Sequence, residues 1–161
     1  LEERSPHHGI RPWLSAWLPV AAGIAVILIE STAFMGADHT NRPLRWLWEA
    51  LFGFVSNARW DLIHMMLRKS GHFFGYGAIG LLWLRAWWMT LPHSHFLGDA
   101  FLALLGTALV ASLDELHQAC LPNRTGTPRD VLIDCCGALT LQLVVYIFLR
   151  LVRPKRLAHE D

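Results

Sequence analysis

Four stretches of the 161-residue chain stay apolar over about the length of a membrane span, and this constrains the fold more than any other feature. A hydrocarbon core of about 30 Å takes about 20 residues of helix. The runs cover residues 13–34, 70–91, 97–120 and 131–152. Residues 20–29, 101–113 and 139–149 are apolar nearly all round, where a soluble helical bundle would alternate polar and apolar faces. The expectation is an all-α integral membrane bundle of four transmembrane helices. Composition agrees: 53% of residues are hydrophobic and 17% charged, a skew away from soluble domains. The net charge of +1 comes without a basic stripe, so no nucleic-acid partner is expected.

The 35–68 connection is too charged to span. Leu44, Leu47, Leu51 and Val55 recur at spacings of three and four, which predicts an amphipathic helix lying in the interface between the first two spans. Trp46, Trp48 and Trp60 suit the headgroup level there, and Trp13, Trp17, Trp83, Trp87 and Trp88 suit the opposite interface. The organisation is then a 1–12 tail, one transmembrane domain over 13–152 and a basic 153–161 tail. Lys and Arg divide evenly between the two faces. The dense Arg150–Arg156 cluster tips the reading towards both termini inside, with the oligomeric state open.

Within this frame the 114–137 stretch poses a problem, since it sets many charges between two apolar runs. Four spans solve it by bringing the start of the second, the end of the third and the start of the fourth to one face. Lys69, His72 and Tyr76 enter there, Asp114, Glu115 and Gln118 leave, and Asp130 and Asp134 re-enter. The pairs 72/76, 114/118 and 130/134 are four apart and share helix faces. His72 lies about 5 Å below Lys69, and Glu115 about 10 Å below residue 122. The loop 121–129 is turn-forming and holds Arg124 and Arg129 over the pocket as a lid.

Intramembrane charges are costly and rarely unpaired. One alternative is that these residues merely fasten three helices to each other. Cys120, Cys135 and Cys136 fall in the same layer, as small apolar fillers or, if the layer is extracytoplasmic, as partners in a disulfide. A metal site from His72, His117, Glu115 and an Asp is conceivable. No HExxH or paired-Cys spacing is present, so neither a metal nor a cofactor is expected. The stripe Gly75, Gly77, Gly80 reads as close helix packing.

Lys69-Ser-Gly-His72-Phe-Phe-Gly-Tyr76, Asp114-Glu115-Leu-His-Gln118, Pro122-Asn-Arg124 and Asp130-Val-Leu-Ile-Asp134 with Gly137 resemble the VanZ-like membrane proteins, in order and spacing, over about 69–151. Arg68 departs from the pattern, standing where the family usually has Asp. The resemblance implies a multi-pass protein of the bacterial inner or plasma membrane. It also implies a link to the cell envelope and to antibiotic resistance against teicoplanin, a lipid-tailed glycopeptide that binds cell-wall precursors outside the cell. An extracytoplasmic polar layer fits that setting.

Three functions compete. In the first, Lys69, Arg124 and Arg129 bind the anionic head group of a membrane lipid or lipid-linked cell-wall precursor, Glu115, Gln118, Asp130 and Asp134 orient them and read it, and Tyr76 belongs to the same binding site. In the second, the site is an enzyme acting on an envelope lipid, with Glu115, His72 and Asp130 as catalytic acid/base residues. The third is a structural or partner-binding membrane module.

Overall fold

The computed structural model describes residues 10–32, 36–92, 95–121, 124 and 126–152, and these form five α-helices without a strand among them. They are α1 (Ile10–Glu30), α2 (Ala37–Phe52), α3 (Asn57–Thr90), α4 (Phe96–Ala119) and α5 (Pro128–Val152). The all-α class is as expected. Residues 10–12, expected in the N-terminal tail, belong to α1; the rest of both tails lies outside the described residues.

Three helices, not four, are long and apolar enough to cross a membrane: α1, α4 and α5. α3 has the length, at 34 residues, but not the composition. His72, Arg85 and four glycines dilute its C-terminal part, and Arg59, Asp61, Arg68 and Lys69 its first turns. The reason is its position, since α3 is the element against which α1, α2, α4 and α5 all pack. A central helix meets protein along much of its circumference and needs fewer apolar side chains than its neighbours.

Contacts fix the directions. Lys69 meets Asp130, the backbone of Phe73 meets Gly137 and Gly80 meets Ala138, so α3 and α5 run parallel. Tyr76 meets Asp114 and Trp83 meets Gly106, so α4 runs against α3. Gly23 sits against Ile79, and Arg85 donates to the Ser15 carbonyl at 3.1 Å, so α1 also runs against α3. From Lys69 onward, α3 therefore runs alongside the three apolar helices.

Side chains are distributed inside out relative to a water-soluble bundle. The interior holds Ala16, Ala103, Thr107, Ala111 and Ala138, whereas Leu18, Phe101, Leu109, Leu139 and Phe148 point outward. Small residues let helix backbones approach, and large apolar ones face lipid. The glycine stripe works this way at two of its three positions. A Cβ on Gly77 would meet Leu141, and one on Gly80 would meet Ala138, whereas Gly75 faces open space. The chain is thus a multi-pass membrane bundle.

α2 forms where an amphipathic helix is expected, and its Trp46, Leu47, Leu51 and Phe52 are exposed rather than packed on the bundle. Trp60, expected at the headgroup level, is instead buried at 1% exposure. It donates to Asn41 Oδ1 at 2.6 Å and stacks on His64, tying α3 to α2. At the other end Trp17 meets Trp83 and Trp87 edge-on, with centroids 5.5 and 4.8 Å apart. All three cysteines are free, with Cys120 and Cys136 exposed, so the disulfide option is not realised.

Candidate functional site

The polar residues expected in one layer do converge, at the end of the bundle where α3 and α5 enter and α4 leaves. Lys69 Nζ donates to Asp130 Oδ1 at 2.7 Å, joining α3 to α5. One turn further in, His72 Nδ1 lies 3.4 Å from Asp134 Oδ1, and Asp134 is fully buried. Across the bundle, Tyr76 donates its hydroxyl proton to Asp114 Oδ2 at 2.9 Å, and Gln118 Nε2 donates to the same oxygen at 3.0 Å.

The loop between α4 and α5 closes over this layer by local chemistry. The Thr127 amide donates to Glu115 Oε2 at 2.7 Å. Thr127 Oγ1 donates to Asp130 Oδ2 at 3.0 Å and accepts from the Asp130 amide at 3.3 Å. Thr127 thus caps α5 together with Asp130, and Pro128 takes the first helical position, where no amide proton is needed. Gly126 is pressed onto the end of α4, where a Cβ would collide with the Glu115 carbonyl. Only a residue without a side chain allows that approach.

Arg124 does not stand free over the pocket as a lid. Its Nη2 donates to the carbonyls of Glu30 and Thr32, the latter at 2.9 Å, and so fastens the loop to the end of α1. Burial and the neighbouring Arg68 lower its pKa, while Asp114 and Glu115 oppose this. Arg129 is exposed and, like Arg68, makes no hydrogen bond or ion pair among the described residues.

Together these groups enclose a cavity of about 630 Å³, bounded by Lys69, His72, Glu115, Gln118, Arg124, Arg129 and Asp130. Arg68, His64, Asp61, Asn41 and Thr127, with Met65 and Ile133, also line it and were not expected there. The signal was present, since 61, 64, 68 and 72 repeat at three and four and share a face of α3 once that helix starts at Asn57 rather than at residue 70. Burial, then Arg68, lower the pKa of His64, with Asp61 opposing. Tyr76, Asp114 and Asp134 sit deeper and are absent from the wall. A second cavity of about 30 Å³ lies beside Tyr76 and Asp114, and His72 and Gln118 line both. His117 is elsewhere: its Nδ1 lies 2.9 Å from Ser31 Oγ.

The model of the VanZ/LLP1 family matches residues 16–150. The chain belongs to the VanZ/LLP1 family. No curated protein and no solved structure matches it. The VanZ/LLP1 match takes in α3 through nearly all of α5 and hence every residue of the layer just described. Arg68 leaves Lys69 without an acidic neighbour in sequence, and Lys69 finds its acid on α5 in Asp130.

Proposed function

We propose that this VanZ-like membrane protein binds an anionic head group, of a phospholipid or a lipid-linked cell-wall precursor, in the 630 Å³ cavity. One observation carries the reading. Arg68, Lys69, Arg124 and Arg129 surround a cavity at the end of an apolar bundle, and two of them, Arg68 and Arg129, have no anionic partner among the described residues. The volume suits a small polar group. Guanidinium groups take phosphate oxygens in bidentate fashion, and they gain most where water is scarce. The acyl tail would lie outside, against the apolar rim.

In this reading α3 crosses the membrane as the fourth span beside α1, α4 and α5, α2 rests on the surface, and the cavity opens on the extracytoplasmic side of a bacterial inner membrane. The link to teicoplanin is then occupancy of the face on which that antibiotic meets its lipid-anchored target.

The test is mass spectrometry of lipids retained by the protein purified in mild detergent. Wild type is expected to retain anionic lipid, and Arg68→Gln with Arg129→Gln to lower that retention about tenfold, since losing two charge-assisted contacts exceeds 1.4 kcal/mol. Retention that ignores head-group charge, or that survives both substitutions, would overturn the reading.

A second reading, enzymatic acid/base chemistry on the same lipid, draws support from the His72–Asp134 pair. A buried carboxylate beside one ring nitrogen can orient an imidazole whose other edge meets the cavity. Glu115→Gln and Asp130→Asn should then abolish a lipid conversion that wild type performs, whereas a binder keeps weak activity.

A further inference from the structure

His72, Asp114 and Glu115 each bring one potential ligand atom to a common point, with all three atoms within 4.8 Å of one another. They arrive from two helices, His72 from α3 and the adjacent carboxylates from α4. Asp114 and Glu115 are both buried, at 4% and 6% exposure.

Proximity alone does not make a site. The hydrogen bonds around the cluster supply the second argument. Asp114 Oδ2 is doubly satisfied by Tyr76 and Gln118, yet its Oδ1 is buried and accepts nothing among the described residues. Asp134, fully buried behind His72, has no hydrogen bond on either oxygen, its nearest charged neighbour being the His72 ring. Three buried carboxylates therefore share one imidazole inside a bundle whose outer faces meet lipid. Buried acceptors in folded proteins are almost always satisfied, and uncompensated charge in such surroundings is costly.

We infer that His72, Asp114 and Glu115 form a binding site for a single divalent transition-metal ion just beneath the large cavity, beside the small one that Asp114 lines. The donor set, one imidazole nitrogen with carboxylate oxygens, is that of zinc, manganese or iron(II) rather than of copper(I) or calcium. Asp134 completes the arrangement, because a ligating histidine usually gives its second ring N–H to a carboxylate. With Nδ1–H turned to Asp134, Nε2 is the nitrogen offered to the ion. At about 2.1 Å from the metal, neighbouring donors stand about 3–4 Å apart, so side-chain rotation closes the remaining gap. The ion stands whether or not a head group binds above it. It would also occupy the nitrogen that a general base needs, so metal content separates it from the acid/base reading.

The test is metal analysis of the full chain in mild detergent, equilibrated with Zn²⁺ or Mn²⁺ and freed of excess ion. About one ion per chain is expected for wild type and for His117→Ala, and less than a tenth of that for Asp114→Asn with Glu115→Gln. A measurement on wild type alone covers the case in which the double variant fails to fold. At metal 100-fold above its dissociation constant, Tm should rise by about 5 °C or more and fall back on chelation. No retained ion and no Tm shift with either metal would overturn the inference, as would equal retention by a folded double variant. Anionic lipid retention is read separately, so failure here leaves the head-group proposal standing.

Discussion

Lys69 and Asp130 form a pair whose energetic and functional weights differ. The Lys69 side chain is 46% exposed and that of Asp130 25%, and pairs this open to solvent contribute about 0–1 kcal/mol. Lys69→Met should lower stability by less than about 1 kcal/mol in a detergent unfolding titration, yet reduce anionic lipid retention several-fold. The buried triad on the other side behaves oppositely. Tyr76 and Gln118 both donate to one oxygen of Asp114, so Tyr76→Phe and Gln118→Met should each cost about 2 kcal/mol. Their double variant should depart from additivity by more than 0.5 kcal/mol, because each donor's worth depends on the other. At this scale the sequence was most informative where spacing alone groups residues. The 72/76, 114/118 and 130/134 pairs face the expected layer because four residues return a helix to the same face. Arg124 was not legible. Its partners are backbone carbonyls at the end of α1, and carbonyls leave no trace in side-chain identity. Thr127 was legible in principle, as Thr-x-x-Asp with Pro128 at the helix start.

Elements meet here through missing side chains. Gly137 packs on the backbone of Phe73 so closely that a Cβ would collide with the Phe73 carbonyl, whereas a Cβ on Gly75 meets nothing within 4 Å. Backbone cannot yield as a flexible side chain can, so Gly137→Ala must push α5 off α3. That should cost about 1–3 kcal/mol and loosen the 69/130 and 72/134 pairs with it. Gly75→Ala should stay within about 1 kcal/mol of wild type, since helix propensity favours the change. Thermal unfolding of the two variants side by side checks this contrast. The same collisions explain what could be read at the level of elements. Helix ends fell close to the expected limits wherever an apolar run stopped at Pro or charge. They failed for α3, whose start at Asn57 lies inside a charged segment; Trp60 and His64 are nonetheless held there, against Asn41 and Thr40 of α2. Packing extended a helix that composition would have ended.

For the whole molecule the open contrast is between helices apolar enough to cross by themselves and the bundle they form. α1, α4 and α5 meet that condition and α3 does not. Yet α3 runs parallel to α5 from Lys69 onward and antiparallel to α1 and α4, with Gly77, Gly80, Lys69 and Tyr76 turned to them. If α3 stayed out of the bilayer while α5 crossed, the Lys69–Asp130 and Gly80–Ala138 contacts, about three turns of α3 held beside α5, could not coexist with lipid around α5. In the four-span reading, the polar cost of carrying His72 across would be met by neighbours rather than by water, and hydropathy along the chain would undercount the spans. A topology reporter inserted between α2 and α3, in the 53–56 turn, and another at residues 91–92 after α3 should therefore report opposite sides of the membrane. With the cavity extracytoplasmic, Cys120 at the end of α4 should react with an impermeant maleimide in intact cells of a Cys135→Ser, Cys136→Ser variant. Reporters on the same side would return α3 to the surface and dissolve the layer on which the head-group reading stands. Opposite reporters with Cys120 protected until the cells are opened would keep the bundle and turn its polar end to the cytoplasm.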